Sequence, residues 1–398
     1  MILMEEWINP EEVTEGLLEM EEEHTTHYDV ESTNRSKELA EKYPSNLSGY
    51  AGKYENLVSS ADGVGTKILL AQYARASFNR PLNSIGQDVV AMVVNDLICK
   101  GAKPLFFLDY FASSKISNAH FHEVLDGIHE ACSSINIPLL GGETAKLPGI
   151  ITEGTFDVAG FGVGKIESVE DELPNNIQTG DVVIGIKSTG FHSNGFTIIR
   201  RNIGWRESGN DPFLDKLLTP TKIYVEDIQH LKTIYRPDPL IRWVEKSTDP
   251  AIEKTNRESI KIKGLAHITG GGFDNINRIL PKKHTIKYDD SFLYENDYPA
   301  HADMFRWIQE NEGLTTEQMY NTFNCGVGMA VILSPEDADI LNNHIATTIE
   351  INDSSYNDSS HNDSSYNDSS YNNVYKNYDY SPSNYVQIGH VQHTTESQ

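Results

Sequence analysis

Ser59-Ser60-Ala61-Asp62-Gly63-Val64-Gly65-Thr66-Lys67 sets two glycines beside a carboxylate and a lysine. Glycine bends let backbone N–H groups face a phosphate, the acid suits a metal ion, and the lysine suits a phosphoryl oxygen. An ordinary glycine turn after a strand leaves the same pattern. It is neither Gly-x4-Gly-Lys-Ser/Thr nor Gly-x-Gly-x-x-Gly, and the chain contains neither. A second carboxylate, Asp96, falls on the apolar arc of Ile85, Val89, Met92 and Val93 at about 100° per residue. There it needs a cation or strong donors to stay ionised, unless it frays into solvent beside Gly101. Asp88 and Asn95, seven apart, lie on a neighbouring face. A third acid, Glu143 in Gly141-Gly142-Glu143-Thr144, follows a buried strand, where α/β proteins place ligands. Asp62, Asp96 and Glu143 together could make an oxygen-rich Mg²⁺ site bridging to nucleotide phosphates.

Two further loops suit anions. Ser188-Thr189-Gly190-Phe191-His192-Ser193-Asn194-Gly195 joins a strand to a helix, so hydroxyls and free N–H groups gather at a helix start. His192 could donate to a phosphate or shuttle a proton; plain N-capping by Ser193 or Asn194 with a structural histidine is the alternative. Thr269-Gly270-Gly271-Gly272 after His267 is either a phosphate loop or a tight turn. His122, Asp126 and His129 imitate the zinc helix His-Glu-x-x-His, but Asp126 stands where the second histidine belongs, and a wet polar face is expected there.

The elements that must carry these residues alternate. Strands are expected at Asn56–Ser60, Leu105–Ala112, Ile137–Gly141, Phe156–Ile166, Asp181–Lys187 and Tyr385–Gln392. Helices are expected at Leu82–Lys100 and His120–Ile135, with another starting at Asn194. The class is α/β of the α+β type in two domains, 45–170 and 171–398, behind an acidic leader at 1–44. Residues 1–31 hold eleven acidic side chains and no Lys or Arg, which reads as a solvated acidic stretch. From Asn352 to Tyr371 the unit Asn-Asp-Ser-Ser-Tyr/His occurs four times. A segment this polar cannot offset its ordering entropy, so a disordered loop is expected over 352–384, interrupting the domain before its last strand.

Composition closes off several classes. With 32 Lys and Arg against 58 Asp and Glu, the net charge is −26, a poor match to a nucleic-acid backbone. No apolar run of transmembrane length occurs and the N-terminus does not read as a signal peptide, so no membrane association is expected. Three cysteines without CxxC spacing argue for a reducing, cytoplasmic setting.

Eight ordered segments resemble the phosphoribosylformylglycinamidine cyclo-ligase family, also called aminoimidazole ribonucleotide (AIR) synthetase, of purine biosynthesis. They are DGVGTK at 62–67, AMVVNDLICKGAKPLFFLDY at 91–110, GGETAKLPG at 141–149, DVAGFGVG at 157–164, GFHSNGF at 190–196, LTPTKIYV at 218–225, HITGGGFDNINRILP at 267–281 and TFNCGVGM at 322–329. The resemblance implies an ATP-dependent ligase that closes the imidazole ring of AIR from formylglycinamidine ribonucleotide. It implies a two-domain fold whose N-terminal sheets pair across a homodimer. It also implies Asp62, Asp96 and Glu143 on metal, with Gly63, Gly65, Thr66, Lys67, Asp88 and Asn95 toward ATP. Lys67 and His192 are then the catalytic pair, and His192, Ser193, Asn194, Gly195, Thr269, Gly270 and Gly271 face the substrate. A selenophosphate synthetase, a thiamine-phosphate kinase or an idle nucleotide-binding paralogue are the other readings. Lys146 stands where the family pattern GGETAEMPG has glutamate, and no Tyr-Lys-x-Ala-Gly-Val-Asp segment opens the chain.

Overall fold

The computed structural model describes residues 51–115, 118–203, 212–236, 258–289, 302–356 and 384–394. The acidic leader and the later copies of the repeat lie outside them.

Two five-stranded sheets organise the described chain. The first contains β1 (Gly52–Tyr54), β2 (Leu57–Gly63), β3 (Lys103–Ser113), β4 (Leu139–Lys146) and β5 (Phe156–Lys165), in the order β1-β2-β5-β3-β4. Only β3 and β4 run parallel, joined through the helix Asn118–Ser134. The second sheet has the order β7-β9-β6-β10-β8, from β6 (Val182–Lys187), β7 (Ile262–His267), β8 (His284–Tyr288), β9 (Val327–Leu333) and β10 (Tyr385–His393). The strand after the repeat is therefore an interior member of its sheet, held between β6 and β8.

Helix α1 (Lys67–Phe78) leaves the glycine turn after β2, and α2 (Asn83–Cys99) follows it. From Asp88 to Cys99 every residue of α2 is buried. A helix apolar all round belongs in a core rather than on a surface, and α2 packs on β2, β3 and β5 on one side and reaches β7 of the second sheet. The helix expected at Leu82–Lys100 is thus present, and both its flanks are covered. Glycines make the fit close. A Cβ on Gly162 of β5 would lie 2.7 Å from Val93, and one on Gly86 would lie 2.2 Å from the Val124 carbonyl of α3 (Asn118–Ser134). His122, Asp126 and His129 all lie exposed along α3.

The remaining helices used below are α4 (Phe196–Asn202), α5 (Pro212–Leu217), α6 (Val225–Leu231), α7 (Asp274–Asn277), α8 (Ala302–Glu312), α9 (Thr316–Thr322) and α10 (Pro335–Tyr356). Because α10 continues to Tyr356, the first copy of the repeat is helical backbone, where a disordered loop from 352 was expected. A helix carried on from Pro335 can satisfy that backbone through its own i to i−4 hydrogen bonds.

Candidate functional site between the two sheets

Three polar residues in a buried helix demand partners, since an unpaired buried polar group costs about 1–3 kcal/mol. Asp88, Asn95 and Asp96 of α2 all find them on segments that the sequence leaves far away. Asp88 accepts from Thr221 N–H at 2.7 Å, from the Thr221 hydroxyl at 2.6 Å and from Lys67 Nζ at 3.0 Å. Asn95 donates to the Lys222 carbonyl and accepts from Tyr224 N–H, each at 2.9 Å. Its amide also donates to His267 Nε2 at 3.3 Å, so the His267 Nδ1–H points to Asp96, again at 3.3 Å. The Ser60 hydroxyl of β2 bonds the same Asp96 carboxylate.

Asp62 stands next to this chain of contacts. Its own carboxylate accepts from Gly63 N–H at 2.7 Å. Burial first, and the Asp96 charge as well, lift its pKa to about 6 against the opposing pull of that N–H and of His267. Burial likewise raises Asp96, with His267 and Ser60 working the other way. Two largely buried acids that repel one another could hold a divalent cation between them.

Glu143 does not join them. Across the first sheet Asp62 aligns with Gly160, Asp109 and Gly142, so Glu143 is one residue out of phase and three strands away. Strands about 4.8 Å apart and side chains that alternate put it roughly 14 Å off, on the opposite face. Glu143 is exposed there, and among the described residues no three His, Cys, Asp or Glu side chains gather as a metal site. The expected triad is therefore not assembled within this chain: Asp62 and Asp96 are neighbours and Glu143 is not.

Lys67 is also corrected. It is fully buried, within 2.8 Å of Asp88 Oδ2 and 2.8 Å of the Thr219 carbonyl it donates to. Burial pushes its ammonium below its usual pKa and Asp88 pulls it back. This lysine joins α1 and α2 to the segment 219–222 and has no open path to a phosphate. Asp88 and Asn95 are engaged in the same way, as fasteners rather than exposed ligand groups.

The exposed part of the motif is the turn itself. Gly65 takes φ +73° with nothing within 4 Å of where a Cβ would stand, and Gly63 and Thr66 flank it at the surface end of β2. The Thr66 hydroxyl lies 3.3 Å from that of Thr197, so this turn faces the first turn of α4, just after the Ser193–Gly195 loop. Thr66 caps α1 without a side-chain bond.

His192 adopts φ +59° and is 1% exposed. Its Nε2 accepts from Thr189 N–H at 3.1 Å, which leaves the ring proton on Nδ1, and Nδ1 has no hydrogen-bond partner among the described residues. Burial above all, then the neighbouring His267, Lys67 and Lys222, hold its pKa well below that of a free histidine. His192 is accordingly a neutral donor and not a cation for phosphate. Ser193 shares its hydroxyl with Thr221 at 3.1 Å, Asn194 donates to the Ile268 carbonyl at 3.2 Å, and Gly195 at φ +69° starts α4 against Phe323. Thr269 and Gly270 lend their carbonyls to the Asn275 amide, and Gly270 and Gly271 remain exposed.

Thr221, Lys222, His267 and Asn275 therefore belong to the site although the motif reading assigned them no role. All four lie in segments that carry the resemblance, Thr221 and Lys222 in LTPTKIYV and His267 and Asn275 in HITGGGFDNINRILP, but only their partners on α2 and in the glycine loop reveal what they do.

Comparison with known proteins places the chain in a family. Residues 49–166 match the family model for the AIR synthase related protein N-terminal domain, and residues 245–345 match that for the C-terminal domain. A phosphoribosylformylglycinamidine cyclo-ligase of Burkholderia cenocepacia is 39% identical over 293 residues, covering 71% of this chain and 72% of its own. One of a Thermoanaerobacter species is 40% identical over 310 residues, covering 74% and 81%. Among solved structures, thiamine monophosphate kinase from Aquifex aeolicus superposes with a TM-score of 0.53 over 90% of this chain and 92% of its own, at 13% identity, a likeness of fold. At this identity over most of both chains, this protein belongs to the phosphoribosylformylglycinamidine cyclo-ligase family of ligases.

Proposed function

We propose that this chain performs its family's ring closure in purine biosynthesis. ATP places a phosphoryl group on the amide oxygen of formylglycinamidine ribonucleotide, the amidine-side nitrogen attacks that carbon, and phosphate departs as the imidazole of AIR forms. An amide oxygen leaves poorly and a phosphorylated one leaves well, so catalysis rests on charge stabilisation at the phosphoryl group and on holding the substrate folded. The observation that carries this reading is the knitting of four motifs by α2: Asp88 and Asn95 hold segment 219–224, and Asp96 holds His267 and Ser60. The Gly63–Thr66 turn, the His192–Gly195 loop and the Thr269–Gly271 loop are thereby assembled around one place.

In this reading Gly63, Gly65 and Thr66 receive the nucleotide phosphates. The neutral His192 Nδ1–H, with Ser193, Asn194 and the glycines at 270 and 271, orients the substrate. Asp62 and Asp96 suit Mg²⁺ by their oxygen donors and by their mutual repulsion, and a magnesium ion would neutralise charge on the transferring group. Lys67 acts from behind, through Asp88 and the Thr219 carbonyl. The open face of the first sheet carries Leu57, Tyr110 and Phe161, the last two 43% and 40% exposed, which supports a homodimer through that face. Three unpaired buried cysteines support a reducing cytoplasm, and no described helix is long and apolar enough to cross a membrane. Two domains, 45–170 and 171–398, are part of the same reading, which the gap between the last strand of the first sheet, ending at Lys165, and the first strand of the second, starting at Val182, supports.

Purified protein given ATP, Mg²⁺ and formylglycinamidine ribonucleotide should release AIR, ADP and phosphate in equal amounts. ATP bound with no AIR formed would favour an idle nucleotide-binding relative instead.

A further inference from the structure

At the end of the second sheet, β8 and β10 pair with His393 directly opposite His284. Thr394 N–H donates to the Lys283 carbonyl at 2.8 Å, and Asp289 N–H donates to the Ile388 carbonyl at 2.9 Å. In an antiparallel ladder those bonds bracket the residue pairs that do not themselves exchange hydrogen bonds, so His284 and His393 form such a pair. Side chains approach most closely at these positions. The two ring centroids are 5.3 Å apart, with 53° between the planes.

Each ring spends Nδ1 on a main-chain carbonyl: His284 on Lys282 and His393 on Thr394, both at 3.2 Å. A carbonyl only accepts, so Nδ1 carries the proton in both rings and both Nε2 atoms keep a lone pair. Metal-binding histidines are usually held in this way, with the second nitrogen donating to a carbonyl that sets tautomer and ring angle. A metal about 2.1 Å from each of two imidazole nitrogens at a tetrahedral angle puts the ring centres roughly 5 Å apart, which the observed separation matches. His393 is exposed and His284 half-buried, so the pair is open to solvent.

We propose that His284 and His393 form a cross-strand site for a divalent transition metal, zinc, nickel or copper, that staples the edge strand β8 to β10. Imidazole nitrogens favour these ions, whereas magnesium prefers oxygen. Among the described residues no third ligand completes a cluster, so water fills the other positions. This site is separate from the acids proposed for Mg²⁺ and does not depend on the ligase reading.

Untagged, metal-stripped full-length protein is titrated calorimetrically with Zn²⁺ in excess Mg²⁺, which occupies the oxygen sites. Wild type should bind one equivalent that weakens roughly tenfold or more in His284→Gln and in His393→Gln, with the double variant no weaker than either single one. Zn²⁺ should raise the melting temperature of the wild type and of neither variant. In proton NMR of the wild type, the Cε1–H signals of both histidines should shift together as Zn²⁺ is added. An isotherm unchanged by either substitution, or histidine signals unmoved at one equivalent, would overturn the site.

Discussion

Asp62 illustrates how a residue can be costly to the fold and useful to chemistry at once. Its carboxyl ionises near 3.8 in an unfolded chain and near 6 in the folded one. The native state therefore holds the proton more tightly. The penalty is absent below about pH 4, grows through the interval, and is complete above about pH 6, reaching at most about 3 kcal/mol. Metal-free Asp62→Asn should accordingly be more stable than wild type at pH 7.5, with the two converging as pH falls toward 4. Urea unfolding across pH measures this, and adding Mg²⁺ at pH 7.5 should narrow the gap by stabilising the wild type alone. A gap that does not depend on pH would refute the assignment of charge conflict. Lys67 makes the opposite case. Lys67→Met strands the Asp88 charge in the core and should destabilise by about 3–5 kcal/mol. Adding Asp88→Asn, which keeps an acceptor for Thr221, should recover the larger part by equilibrium unfolding. Had Lys67 served phosphate from an open turn, the single variant would lose turnover and keep its stability.

At the scale of elements, α2 is the axle. Its burial on both flanks was not foreseeable from one apolar arc, because periodicity marks the face that must be hidden but not what lies behind the other. Asp88 and Asn95 looked like ligand groups for the same reason: buried polar residues need partners, and whether those are a ligand or another chain segment depends on tertiary packing. The crossing of α2 and α3 depends on glycine. A Cβ on Gly127 would sit 2.0 Å from the Asn83 carbonyl. Gly→Ala inside a helix ordinarily gains up to about 1 kcal/mol. Here Gly127→Ala should instead lose about 1–3 kcal/mol, because the helices must part. Thermal unfolding of that variant decides the sign.

For the whole molecule, the first sheet has a helix-covered face and an open one. Leu57, Phe161 and Tyr110 share the open face, since Ala61, Phe161 and Leu108 align across β2, β5 and β3. Phe161→Glu should leave the monomer folded, as the position is exposed, yet shift the protein from dimer to monomer in light scattering at micromolar concentration. A monomeric wild type would remove the basis for this prediction.

Strand and helix alternation, the glycine bends and the motif order were all legible in the sequence, because periodicity and turn chemistry act over neighbouring residues. The strands expected there overlap β2, β3, β4, β5, β6 and β10, the last beyond the repeat, whereas β1, β7, β8 and β9 were not expected. Which acids meet was not legible. The order β2-β5-β3-β4 sets Glu143 three strands from Asp62, and a one-residue phase difference sends it to the other face. Lys67 could not be known as buried until segment 219–222 closed over it, nor could His284 and His393 be seen as neighbours before β10 chose its register. Local sequence governs local conformation; proximity between distant side chains comes from sheet order, register and the packing of one buried helix.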